Sequence, residues 1–297
     1  MKFSLILFLA IVVGCSTKPS SKSAEKQNYI AEMKVASEYL KIESEIQSHI
    51  KTFGPKNVLV VFDVDNTLLK NNIEVGSEQW FYWQDSLMKT NSKQKVADTF
   101  SGLLNVQGLL FDLDPMKLTD DNVDEVITRL QASGVKTIVL TSRGSAYRST
   151  TERTLLGNGI DFSKTKIGYD VGGSFLPYNL NKLTKEEKEM VGSRAPSETS
   201  YVNGIFMTSG QHKGLMLKSL LEKFDFNPSL IVFIDNHEKQ VTRVHDTFKG
   251  NNNVIVYRFS GMDKVYESFN DKKKQDKADR DWRKIKRFIE DLYKVKI

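Results

Sequence analysis

The chain has 297 residues, 39% of them hydrophobic and 27% charged, with 43 Lys and Arg against 37 Asp and Glu (net +6) and a single cysteine. That balance supplies a sizeable core for one large domain or two modest ones, and excludes wholesale disorder, a collagen-like or coiled-coil chain and a polytopic membrane protein. One thiol excludes an intrachain disulfide and a cysteine-rich zinc site. The mild, dispersed basic excess suits an anionic small molecule or surface rather than a nucleic acid.

The N-terminus reads Met1-Lys2, an apolar run from Phe3 to Val13, then Gly14-Cys15. This is the pattern of an export signal over residues 1–14. A helix of about 11 residues reaches roughly 16 Å, half a bilayer core, so the run is too short to span. Val12-Val13-Gly14-Cys15 resembles a bacterial lipobox. The resemblance implies cleavage before Cys15 and acylation of its thiol. With Ser16 following, it also implies a lipid-anchored envelope protein of the outer membrane, facing the periplasm. Residues 15–28 would be the lipidated tether, polar and without periodicity from Lys18 to Lys26.

Apolar residues Tyr29, Met33, Ala36, Leu40, Ile46 and Ile50 predict a helix over 29–52, ended by Gly54-Pro55. The region 53–265 then alternates β-branched runs with amphipathic stretches. The runs are 58–62, 137–140, 231–234 and 254–257, with a weaker one at 204–207. Continuous apolar strands fit a parallel sheet covered on both faces. Residues 122–133 and 212–224 carry the covering helices. The expected fold is α/β, a doubly wound parallel sheet. Two segments exceed what this alternation needs: 71–119, expected to form a small helical cap, and 171–203. Insertions of this length are usually functional lids. The final segment, 266–297, predicts a surface helix that docks through Trp282, Ile285, Ile289 and Leu292, its lysines on a solvated face, with contact to anionic lipid as the alternative.

Chemistry concentrates where the first apolar strand gives way to Asp63-Val64-Asp65-Asn66-Thr67. Two carboxylates two residues apart, just past a buried strand, sit at the sheet edge where open α/β folds bind ligands. Further on, Thr141-Ser142-Arg143 ends the second strand. Lys213 starts a helix 72 residues beyond Thr141, and Asp235-Asn236 ends another strand 22 residues after Lys213.

These four stretches, in this order, resemble the motifs of the haloacid dehalogenase superfamily over roughly residues 56–260. The match is closer to uncharacterised bacterial members with a DNTL first motif, which share the early aromatic run and the stretch from Arg153 to Phe162. It is more distant from the secreted class C acid phosphatases. The resemblance implies a Rossmann-like core and a Mg²⁺-dependent phosphomonoester hydrolase acting on a small phosphorylated substrate. Asp63 would be the nucleophile that forms an aspartyl-phosphate, and Asp65 the acid–base. Thr141, Ser142, Arg143 and Lys213 would contact the phosphoryl group. Asp63, the main-chain carbonyl of Asp65 and Asp235 would bind the metal. An Asp at position 65 separates phosphatase members from dehalogenases. Asn236 departs from relatives that carry a second acid there, leaving Glu238 as a candidate helper.

Several residues carry two readings. The run Trp80-Phe81-Tyr82-Trp83 either packs a cap core or lines a pocket for a flat leaving group. Arg143 either clamps phosphate or supports its loop. His212 and His237 flank motif residues, yet the four histidines lack zinc spacing. Beside hydrolysis stand two alternatives: a catalytically silent envelope scaffold of the same fold, and a phosphotransferase that passes the aspartyl-phosphate to an alcohol.

Overall fold

The β-branched runs fold as the middle of one mixed sheet. The computed structural model describes residues 29–168, 172–192 and 195–296, so the export signal, Cys15 and the whole tether lie outside the described residues. In chain order the first half comprises β1 (Ala31–Ala36), α1 (Tyr39–Phe53), β2 (Val58–Phe62), β3 (Leu69–Lys70), α2 (Glu78–Lys89), α3 (Phe100–Leu113), β4 (Lys117–Leu118), α4 (Val123–Ala132), β5 (Lys136–Thr141) and α5 (Arg148–Gly157). The second half comprises β6 (Gly172–Phe175), α6 (Lys185–Val191), β7 (Thr199–Val202), β8 (Ile205–Met207), α7 (Lys213–Lys223), β9 (Leu230–Asp235), α8 (Glu238–Phe248), β10 (Asn253–Phe259), α9 (Asp263–Ser268) and α10 (Lys272–Tyr293).

Eight strands pair in the order β1-β10-β9-β2-β5-β8-β7-β6; the first six are parallel, β7 is antiparallel to both its neighbours, and β6 regains the common direction. Alternation along β2 explains the two layers. Val58, Val60 and Phe62 face a core shared with α1, α4 and α5, whereas Leu59 and Val61 face α7 and α8. On α4, Val123, Val126, Ile127 and Leu130 are fully buried, each contributing roughly 1.5–3 kcal/mol. The fold is thus α/β, a mostly parallel sheet flanked by helices.

Three expectations are corrected. The helix over 29–52 begins only at Tyr39; residues 31–36 form an edge strand on β10, where Val254 N–H donates to Ile30 O at 2.8 Å. Pairing satisfies the open edge of β10, and it turns Met33 and Val35 to solvent instead of into a helix stripe. The buried stripe of α1 is Tyr39, Ile42, Ile46 and Ile50, with Leu40 outside it.

The second insertion is a sheet extension rather than a lid. β6 pairs with β7, and Phe175, Tyr178, Met190 and Val191 cover the α7–α8 core. Gly172 permits that pairing: at φ +87° a Cβ would lie 2.0 Å from Tyr201 O. In the C-terminal helix, Trp282 and Ala278 are buried and Ile285 partly so, but Leu292 is exposed, and the docking surface is the cap rather than the sheet.

The first insertion is helical. The short β3–β4 ladder closes its base, and α2 and α3 pack Trp80, Leu103, Val106 and Leu110 against Phe269, Ala278 and Trp282. The aromatic run splits between its two readings. Trp80 is core and Trp83 meets Phe269 edge-on at 5.7 Å, whereas Phe81 and Tyr82 turn toward a cleft beside the sheet edge.

Candidate active site

Parallel pairing brings three strand ends to one edge. β2 lies between β5 and β9, so Asp63, Thr141 and Asp235 emerge side by side where those strands finish. After β8, Thr208 donates from both N–H and Oγ1 to Thr141 O (3.0 and 2.8 Å), and the turn that follows delivers Lys213 as the first residue of α7. Lys213 Nζ donates to Asp63 Oδ1 at 2.5 Å and to Asp235 Oδ2 at 2.6 Å. Residues 150 and 22 positions from Lys213 thus meet on one buried ammonium. His237 N–H donates to Asp235 Oδ1 at 2.8 Å, and Asp63 N–H donates to Ile234 O at 2.9 Å.

The charge balance of this triad is negative. Two carboxylates share one cation, and all three groups are buried. Burial pushes the Asp63 carboxyl up, Lys213 pulls it down, and Asp235 and Asp65 push it up again, leaving it at about 7. Burial pushes Lys213 down, but Asp235 and Asp63 outweigh it and hold the amine above its ordinary value.

Asp65 is held separately. Arg143 donates from Nε and Nη2 to its two oxygens at 3.0 and 2.7 Å, a bidentate fork. The same guanidinium donates from Nη1 to Thr151 Oγ1 at 2.9 Å and stacks 3.8 Å above the Phe111 ring. The Arg143 guanidinium is therefore taken up by the protein's own groups, orienting Asp65. Thr141 is buried, with Oγ1 accepting Arg143 N–H at 3.2 Å, while Ser142 is exposed and its carbonyl accepts Gly210 N–H.

The turn after Asp63 folds on itself: Thr67, Leu68 and Leu69 donate to Val64 O, with Asn66 at φ +52°. A side chain on no predicted motif ties this turn to the one after β9. Glu78, at the start of α2, accepts from Asn66 Nδ2 (2.8 Å) and Asn236 Nδ2 (2.7 Å) on one oxygen and meets His237 Nε2 at 2.6 Å on the other. Burial lowers the His237 imidazole, but its bond to Glu78 and the charges of Glu78, Asp235 and Asp63 lift it to about 9. An acid in the first turn of a helix is ordinary capping electrostatics, so its sequence signal is indistinguishable from a helix start. Thr67 also joins the two turns, accepting Asn236 N–H at 3.0 Å. Glu238 is exposed on α8. His212 caps α7 through Nδ1, and burial and Arg243 depress it to about 4.

Between cap and sheet edge lies a largely apolar cleft of about 130 Å³, whose wall includes Asp65, Tyr82, Gln107, Phe111, Arg143 and Tyr147. Among the described residues, no three His, Cys, Asp or Glu side chains cluster as a metal-ligand set. The site offers two carboxylates and nearby main-chain carbonyls.

Residues 39–293 match the model of the family described as "Protein of unknown function (DUF2608)". The chain belongs to that family. The match spans both sheet layers, the cap and α10, so the site and the cap that covers it lie within the family's shared sequence. No curated protein matches the chain. Among the described residues, no helix is long and apolar enough to cross a membrane.

Proposed function

We propose that this protein is a phosphomonoester hydrolase of the haloacid dehalogenase type, dependent on Mg²⁺ and anchored through Cys15 on the exported face of a bacterial membrane. The observation that carries the reading is the meeting of Asp63 and Asp235 on Lys213, with Asp65 oriented beside them by Arg143. The donor set suits a hard divalent cation: all-oxygen ligands in a buried cluster whose two carboxylates are only half balanced by one ammonium. Asp63, Asp235 and the Asp65 main-chain carbonyl would hold it, and when bound it supplies charge neutralisation for a dianionic phosphate.

The chain's own groups account for the rest. Asp63, as carboxylate, attacks phosphorus; its oxygen–phosphorus bond forms as the bond to the leaving oxygen breaks, and Asp65 gives that oxygen a proton. Asp65 then takes a proton from water as the water displaces Asp63 from phosphorus, releasing inorganic phosphate. Lys213 keeps its charge throughout and balances the phosphoryl oxygens, and Thr141 donates its hydroxyl to one of them. The first step needs Asp63 ionised and Asp65 carrying a proton, and the ionised form of Asp63 would be favoured beside a bound divalent cation.

The test is phosphate release from an aryl phosphate by the chain lacking residues 1–15. Turnover is expected with Mg²⁺ and lost with chelator or in Asp63→Asn. A folded wild-type protein that releases no phosphate from nucleotides, sugar phosphates or aryl phosphates overturns the reading in favour of a silent scaffold. Phenol release that outpaces phosphate release when alcohol acceptors are added, with the phosphoryl group recovered on the acceptor, points to phosphotransfer.

A further inference from the structure

One residue in the wall of the cleft beside Asp65 keeps a buried polar atom that no described group answers. Gln107, on α3, lines the cleft and is 4% exposed. Its Nε2 donates to Gly76 O at 2.5 Å, which fixes the orientation of the amide, and among the described residues no group donates to its Oε1. Buried polar atoms are almost always hydrogen-bonded, so an orphaned acceptor at a pocket wall marks a place where a ligand's donor is missing.

The remaining wall is aromatic and fixed. Phe111 lies under the Arg143 guanidinium and meets Tyr147 edge-on at 5.6 Å. Tyr147 donates its hydroxyl to Leu104 O at 2.7 Å. Tyr147 lies so close to α3 that only glycine fits at position 108, where a Cβ would come 2.7 Å from Tyr147 Cε1. The volume, about 130 Å³, is close to the ~150 Å³ of an apolar cavity that accepts benzene.

Position supplies the last step. Displacement at phosphorus is in line, so the leaving oxygen lies opposite the attacking one. With Asp63 attacking and Asp65 at the leaving oxygen, the group attached to that oxygen extends past Asp65. Asp65, Ser142 and Arg143 form the near wall of this cleft. The geometry points to a leaving-group subsite for phosphomonoesters whose alcohol carries one flat ring with a hydrogen-bond donor, received by Gln107 Oε1. This inference rests on the hydrolase reading above.

Three primary-alcohol phosphates of similar leaving-group reactivity test it: butyl, benzyl and 3-hydroxybenzyl phosphate, the 4-hydroxy isomer being set aside because it expels phosphate unaided as a quinone methide. Benzyl phosphate should exceed butyl phosphate in kcat/KM by roughly tenfold through ring burial. 3-Hydroxybenzyl phosphate should exceed benzyl by roughly three- to tenfold, the worth of one neutral hydrogen bond. In Gln107→Leu that second ratio should fall to about one. Calorimetric binding of hydroxybenzylphosphonate against benzylphosphonate to the wild-type protein reads the same preference without turnover. Turnover with no ring or donor preference refutes the subsite and leaves the hydrolase. A donor preference in binding without turnover of any ester keeps the subsite and refutes the hydrolase. Absence of both refutes both.

Discussion

Asp63→Asn tests the electrostatics of the site independently of turnover. The folded protein holds the Asp63 carboxyl at about 7 against an ordinary 3.8, chiefly through burial. Between those two values the folded state therefore binds a proton that the unfolded chain has released. Stability falls as pH rises from about 3.8 to about 7 and levels off above. The gap, at about 1.4 kcal/mol per pH unit, amounts to roughly 4 kcal/mol. Asparagine keeps the shape and an oxygen for Lys213 but has no proton to lose, so this component vanishes in the variant. Urea unfolding in chelator, for wild type and Asp63→Asn, should give stabilities whose difference shifts by several kcal/mol between pH 4 and pH 8, in the variant's favour at high pH. Titrating groups away from the site are common to both proteins and cancel; Lys213 and His237, which feel the Asp63 charge, do not. Adding Mg²⁺ at pH 8 should raise the wild-type midpoint more than the variant's, because a ligand that binds only the folded state stabilises it by mass action. Two stability curves that stay parallel from pH 4 to pH 8 would refute the account of an under-compensated buried carboxylate pair.

Two further outcomes follow from neighbouring contacts. The His237 imidazole should titrate near 9 by NMR in the wild type and return toward 6.5 in Glu78→Gln, because its bond to Glu78 offsets burial. With the folded value raised, the stability this pair contributes is complete below about 6.5 and is lost as pH rises through about 9; an unmoved midpoint in the variant would place the cause elsewhere. Arg143→Lys should lower kcat on alkyl phosphates by roughly 10²-fold, since an ammonium cannot reproduce the two-point fork that aims Asp65. The loss should be much smaller on 4-nitrophenyl phosphate, whose leaving group needs little protonation, and equal losses on both would mean that Arg143 serves only the fold.

The sequence carried the layered sheet because each central strand is a continuous apolar run, a pattern that survives only when both faces are covered. It also carried the sheet edge. Asp63, Thr141 and Asp235 each terminate such a run, and parallel strands necessarily align their carboxyl ends. It misassigned residues 31–36 because Ala, Met and Val at those spacings satisfy both a helix stripe and an edge strand. The choice was made by the unpaired backbone of β10, more than 200 residues away. It misjudged 171–203 for the same reason: pairing with β8 through β7, not local composition, made that insertion part of the sheet.

The ends of the central strands were thus fixed by local pattern, since periodicity and chain direction dictate where a strand's last residue points. What the tertiary structure alone decided was which side chains those ends engage. Arg143 turned to Asp65 and Phe111, Glu78 joined two turns from a cap helix, and Gln107 in the cleft wall kept an unanswered oxygen. Such partnerships join residues tens to hundreds of positions apart and leave no periodic trace, because they come from packing one layer against another rather than from the preferences of any one segment.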